Sequence, residues 1–358
     1  DGDTSPHHDR RGPAQRRAAT GHAFVRALPG SGVSDAGGAR EFTFELGLCA
    51  QLESTTDWIV GRQLGGAVDR PGRRVVDVVG VEPGAAFDDR AAITAETIPA
   101  RAIESIVGVG EAVPRRRAIR ETPGLTEPLV DRAVEVGFFA SERRNGRASL
   151  RQTTRYPDAW FDRLVGIENK PDLGSPGALE RQLRTDVSLG LFDHVILATE
   201  SHVTRAHLNR IPEEVGVWRV HPDANERTVL REPTPLPTDE PGVELVERRP
   251  LETEVAVVDR AAKAAARRRI AERAYGKGWR TYDFPSCAHA TATADGRPRC
   301  THFERIVDPR RACGADCDAR EPANSPDVDA EALRASRTAW RRDPAGVRRR
   351  QSGLDRFQ

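Results

Sequence analysis

Between Arg163 and Val220 the sequence alternates between strand and helix signals, and no other feature constrains the fold as tightly. Arg163–Lys170 reads as a strand. Gly177–Leu191 reads as a helix, with Leu179, Leu183, Val187 and Leu191 on one face. Val195–Thr199 is an apolar run short enough for a buried strand, Val203–Asn209 a short helix and Val215–Val220 a last strand. Strand, helix, strand, helix, strand implies an α/β core with partly parallel pairing.

The same stretch carries the residues best suited to chemistry. Pro157–Asp158 precedes Glu168–Asn169–Lys170. If the chain turns near Asp162–Arg163, an antiparallel pair sets Asp158 opposite Glu168, about 5 Å apart at Cα. Glu168 and Lys170, two apart on a strand, project from one face. Paired carboxylates of this kind hold a hard divalent cation, Mg2+ or Mn2+, and leave water positions open on it. The cation lowers the pKa of a bound water and polarises a phosphoryl oxygen, and a lysine adds a point charge beside it. The chain has only three lysines among its 55 basic residues, so a lysine here is not a default choice. Asp77, inside the apolar run Val75–Val79, is the rival aspartate. It pairs with Glu168 instead if the segment between them is an insertion between core strands. Asp158 is preferred. The plainer alternative is a surface hairpin of solvated charges.

Pro157, Asp158, Glu168 and Lys170 resemble the motif of the PD-(D/E)XK, or restriction-endonuclease-like, nuclease superfamily. The resemblance implies a mixed sheet flanked by helices and a metal-dependent nuclease that hydrolyses phosphodiester bonds, with DNA as the expected partner. It also implies roles for Gln182, where many exonuclease-like members carry a glutamine, and for Glu45, where some carry a further metal-associated glutamate. Glu45 lies on an opening helix over Glu41–Glu53, whose Phe42, Leu46, Cys49 and Leu52 form one stripe. Two residues depart from the pattern. Asn169 occupies a middle position that is usually apolar or small, and Pro171 would end the strand's pairing. The run from Phe42 to Val220 also resembles a halophilic archaeal family of unknown function, which supplies no activity. Its members are expected to be strongly acidic, whereas this chain balances 55 basic against 54 acidic residues. A non-catalytic nucleic-acid-binding or regulatory protein on a degenerate nuclease scaffold is the alternative reading.

Around this core, residues 40–86 and 156–222 are expected to form the nuclease-like body, with strands over Trp58–Leu64 and Arg73–Val81 parted by a Pro71–Gly72 turn. Residues 87–155 change character. Helices over Ile98–Val107 and Thr126–Val136 precede a hairpin turning at Asn145–Gly146, the strongest short-range hairpin signal. Helix, helix, hairpin resembles a winged helix. Arg143, Arg144, Arg147 and Arg151 on the hairpin are candidates for phosphate contact. Glu127, Asp131 and Glu135 on the preceding helix are ill suited to reading a groove. Residues 223–250, with five prolines, read as a linker, and 251–276 as one long helix. With 38% hydrophobic and 30% charged residues, the ends 1–39 and 321–358 are expected to be disordered.

Cysteine usage adds a second site. Cys287, Cys300, Cys313 and Cys317 crowd into 280–320, and four thiolates suit a small zinc-type module built on a closed tetrahedral Zn2+. His289 and His302 are possible substitutes for a cysteine. An iron–sulfur cluster drawing on Cys49 is the alternative. The chain shows no apolar signal core and no membrane span, so a cytoplasmic protein with reduced thiols is expected. Methionine is absent even at position 1, as though the start of the frame were missing or wrong.

Overall fold

The computed structural model describes residues 35–344, apart from 69, 71, 119–125, 145, 175–176 and 249–250. The expectations for 1–34, Pro71, Asn145 and 345–358 lie outside the described residues, as does the side chain of Arg144. The chain divides into Asp1–Asp35 and Ala36–Gln358, and the second unit holds the fold.

Helix α1 (Asp35–Thr55) leads into strands β1 (Ile59–Gly65) and β2 (Val75–Pro83). An intervening segment follows, with α2 (Phe87–Ala91), α3 (Ala100–Ile103), β3 (Val113–Pro114), α4 (Thr126–Glu135), β4 (Phe139–Arg144) and β5 (Arg147–Gln152). The main sheet resumes with β6 (Phe161–Asn169), α5 (Leu179–Leu189), β7 (His194–Thr199), α6 (Arg205–Leu208), β8 (Gly216–His221) and β9 (Glu226–Arg231). Then come β10 (Gly242–Arg248), β11 (Thr253–Val258) and α7 (Arg260–Lys277). The chain closes with β12 (Ala290–Ala292), β13 (Pro298–Cys300), β14 (Arg305–Ile306), α8 (Pro309–Ala312) and α9 (Ala330–Arg337).

The result is a mixed α/β fold. Its six-stranded sheet runs β1-β2-β6-β7-β8-β9. Strands β6, β7 and β8 are parallel, and the remaining neighbours antiparallel. Pairing alternates the strand side chains between two apolar layers. Val165, Ile167, Ile196 and Ala198 pack with Phe44, Leu48 and Leu52 of α1. On the other face Leu164 and Leu197 pack with Leu183 of α5 and with Ala266 and Ile270 of α7. Helix α5 stops at Gly190, whose left-handed φ of 61° caps it.

Three expectations need correction. Residues 223–250 are not merely a linker, because β9 and β10 lie within them. Strand β9 pairs along the sheet edge with most side chains in solvent, so it carries no apolar period. The long helix begins at Arg260, where the Asp259 side chain accepts from the Ala262 N–H at 2.8 Å. The preceding Thr253–Val258 is a strand, as its valines and threonine favour. Beyond Glu321 the chain forms α9 and buries Trp340, whose indole N–H donates to the Ala95 carbonyl at 3.1 Å. Among the described residues no helix is long and apolar enough to cross a membrane.

The 87–155 segment forms helices and a small sheet, ordered β3-β5-β4, and the helix expected over Ile98–Val107 is only the single turn of α3. It is fastened to α7 through Glu272, which accepts from Arg90 Nε at 2.6 Å, the Ile98 N–H at 2.9 Å and the Tyr156 hydroxyl at 2.8 Å.

Candidate functional site

Where β2 meets β6, Val78 pairs with Ile167, so one step along the ladder Asp77 stands beside Glu168. The long 87–155 insertion separates them in sequence and the antiparallel pairing reunites them. Asp158 does not join them. It precedes β6 in a loop, its side chain is 85% exposed, and it lies 3.9 Å from Arg268. The expected local hairpin does not form, because β6 takes β2 as its antiparallel partner.

Glu168 faces the α5 layer. Its Oε2 accepts from Arg74 Nη2 at 2.6 Å, and the same guanidinium forks onto Asp186 at 3.0 and 2.5 Å. Asp186 sits on the buried stripe of α5 between Leu183 and Leu189, a carboxylate where the helix period calls for an apolar residue. Asp77 accepts from the Asn169 N–H at 2.9 Å and from Gln63 Nε2 at 3.3 Å.

Glu45 comes in from α1 on the opposite face. It accepts from Arg62 Nε at 2.5 Å, Gln63 Nε2 at 2.7 Å and Asn169 Nδ2 at 3.0 Å. Asn169 thus bridges the two halves of the cluster, its backbone to Asp77 and its side chain to Glu45. That accounts for an amide at a middle position otherwise apolar or small. Lys170 lies past the end of β6, where strand alternation no longer holds, and its ammonium pairs with Glu41 of α1. Glu168 therefore pairs with Arg74 in the α5 layer and Lys170 with Glu41 of α1, which strand spacing alone did not anticipate.

Burial dominates the electrostatics. Glu168 is raised above the ordinary carboxylate range first by burial and then by the charge of Asp77, against the pull of Arg74. Asp77 is raised by burial, opposed by the Asn169 N–H. Glu45 is pushed up to about 7, by burial and against Arg62. Among the described residues, no group of three or more His, Cys, Asp or Glu side chains is set to hold a metal ion as it stands.

Asp77 and Arg74 also line a cleft of about 1030 Å³. Gln182 borders it, with exposed Arg73, Arg181 and Arg184 around it and the β10–β11 ribbon forming the far wall. Gln63, Arg74 and Arg62 were missed by sequence reasoning, and nothing in their neighbourhood marks them. Asp186 did leave a signal, as a charge on an apolar stripe.

The hairpin arginines lie on the separate β3-β5-β4 sheet. Arg143 and Arg147 are exposed, and Arg151 is 3.9 Å from Glu142. The acidic face of α4 is partly answered by Arg115 on Asp131 at 2.7 Å and Arg132 on Glu135 at 2.9 Å.

Cys287, Cys300, Cys313 and Cys317 all line one cavity of about 20 Å³, with His289 on its wall. The Cys313 thiol is raised by burial and then by the other three thiols. The His302 ring lies tilted against that of His289, with centroids 5.3 Å apart. Cys49 is elsewhere, buried against Phe44 and Leu52 in the α1 layer. It is no partner for the four.

Comparison with curated proteins and with solved structures returned no match. A family profile does match, over residues 59–322, a span that takes in β1 through the cysteine segment and exceeds half of the chain. The chain belongs to DUF5787, a family of unknown function.

Proposed function

We propose that the chain is a divalent-cation-dependent hydrolase of nucleic-acid phosphodiester bonds, with DNA the first substrate to test. The observation that carries this reading is the juxtaposition of Asp77 and Glu168 on neighbouring strands, beside a cleft bordered by arginines. The donor set fits a hard cation in part. Glu168 gives one oxygen to Arg74 and its other takes no hydrogen bond among the described residues. Each Asp77 oxygen accepts one hydrogen bond and keeps a lone pair. Mg2+ or Mn2+ held there would activate water and polarise a phosphoryl oxygen. The chain's own part is positional. Asp186 and Arg74 fix the Glu168 carboxylate, Asn169 and Gln63 fix Asp77, and Glu41 holds the Lys170 ammonium at the end of the same strand. Arg73, Arg181 and Arg184 offer positive charge to a phosphate backbone, with Gln182 beside them. The β3-β5-β4 sheet with its Arg-bearing hairpin fits a winged-helix-like accessory contact.

One observation favours a second reading, nucleic-acid binding without cleavage. Arg74 already places a fixed positive charge on Glu168, where a catalytic cation would compete with it. A cleavage assay separates the two. Full-length protein with labelled DNA or RNA and Mg2+ or Mn2+ should cleave. Asp77→Asn and Glu168→Gln should each lose at least about 100-fold, while Asp158→Asn should retain activity. Cleavage that survives both carboxylate substitutions removes the assignment. Salt-sensitive binding without cleavage in either metal selects the second reading.

A further inference from the structure

The segment 281–320 holds a definite fold with almost no hydrophobic core. Throughout that range, all of it described, the buried apolar side chains are Pro298 and Val307. Its strands β12, β13 and β14 are three, three and two residues long. Sheets so short, with so little apolar burial, do not hold themselves together. What the segment does place at its centre is sulfur.

We propose that Cys287, Cys300, Cys313 and Cys317 bind one zinc ion in a closed, structural thiolate site. The four come from separate pieces of backbone. Cys287 forms an isolated bridge with Pro322, Cys300 ends β13, Cys313 follows α8, and Cys317 closes a turn by donating its N–H to the Gly314 carbonyl at 3.3 Å. One ion among them cross-links the small sheet, α8 and the exit of the segment, supplying the constraint that a core otherwise would. The cavity they share, about 20 Å³, is of ion size rather than substrate size. The four thiols are not set to hold an ion as they stand, so binding would require them to close in to the zinc–sulfur distance of about 2.3 Å. Four thiols give up four protons and Zn2+ takes the four thiolates, with no change of oxidation state. Soft sulfur donors select zinc over magnesium or calcium. With all four positions filled by protein, the site has no open face for catalysis. The module then braces α1, since Tyr282 meets Phe42 edge-on at 6.2 Å, and α1 carries Glu41 and Glu45.

The test is metal analysis of untagged full-length protein purified without chelator, which needs no nucleic acid and stands apart from the cleavage assay. About one zinc per chain is expected. Cobalt exchanged into the site should show the absorption of a tetrahedral thiolate complex. Cys317→Ser should lose the metal, Cys317→His should keep it by retaining a donor, and Cys49→Ala should leave the content unchanged. Zinc-free protein with four free thiols overturns the proposal. So does iron with labile sulfide, or loss of the thiols to disulfides under reducing-agent-free purification.

Discussion

At Gln63 the backbone turns left-handed inside a strand, with φ of 53°. For a non-glycine residue that conformation costs about 1–2 kcal/mol, and such outliers gather at functional sites. Strand alternation would send Arg62 and Gln63 to opposite faces. The left-handed step lets both side chains reach Glu45. No sequence signal marks a glutamine for this, whereas Glu168 was legible because its strand was. The choice between Asp77 and Asp158 turned on which strand pairs with β6, and side-chain types do not encode that. Glu45 carries a consequence that can be measured. Its folded pKa of about 7 lies above the ordinary 4.5, so between those values the fold holds a proton that the unfolded chain releases. Its contribution to stability is complete below about pH 4.5 and is lost as pH rises through about 7. Urea unfolding followed from about pH 5 to pH 8 should therefore show wild type losing up to about 3 kcal/mol more than Glu45→Gln across that window. Parallel profiles for the two proteins would mean that Glu45 is ionised in the fold throughout.

Elements with strong local signals were readable. Strands β4 and β5 followed from the Asn-Gly signal in the sequence between them, α5 from its leucine spacing, and β7 from a short apolar run. Strand β9 escaped because most of its side chains face solvent, and β10 because prolines stand on both sides of it. The alanine-rich body of helix α7 is legible in the sequence, but the helix starts later than that body suggests, because the β-branched residues before it form a strand. Its tertiary role was not legible at all. Glu272 is 1% exposed, and it ties the insertion to the sheet by accepting from Arg90, Ile98 and Tyr156. Removing one partner of a buried ion pair strands the other charge, typically at about 3–5 kcal/mol. Arg90→Met should lower the urea-derived stability by about that amount. Adding Glu272→Gln should recover part of the loss, because the uncharged amide can still meet both partners, its oxygen accepting from the Ile98 N–H and its NH2 donating to the Tyr156 hydroxyl. A double variant no more stable than Arg90→Met would show that the lost Arg90 bonds to the Thr94 and Glu96 carbonyls dominate instead.

Across the whole molecule the chain leaves the sheet after β2, builds a subsidiary sheet, and returns as β6. The insertion was legible as a change of character between 87 and 155. Its attachment was not, since that depends on a helix formed more than a hundred residues later. This layout leaves two basic surfaces on different parts of the fold, the cleft arginines beside Asp77 and the exposed Arg143 and Arg147 of the hairpin. On the nucleic-acid reading they divide the work. Cleft contacts hold the strand at the carboxylates, and hairpin contacts add affinity that counterion release makes salt-dependent. Each phosphate contact removed should lower the slope of log affinity against log salt by roughly one. Arg143→Ala with Arg147→Ala should thus flatten that slope by roughly two and weaken binding across all sequences alike. Single-turnover cleavage at saturating protein should hardly change, because neither residue lies in the carboxylate cluster. Arg181→Ala should instead slow that saturated step, since its side chain borders the cleft that Asp77 lines. If the hairpin double variant leaves the slope intact, the insertion does not touch nucleic acid. Its arginines then do no more than solvate a surface whose task is to pack against α7.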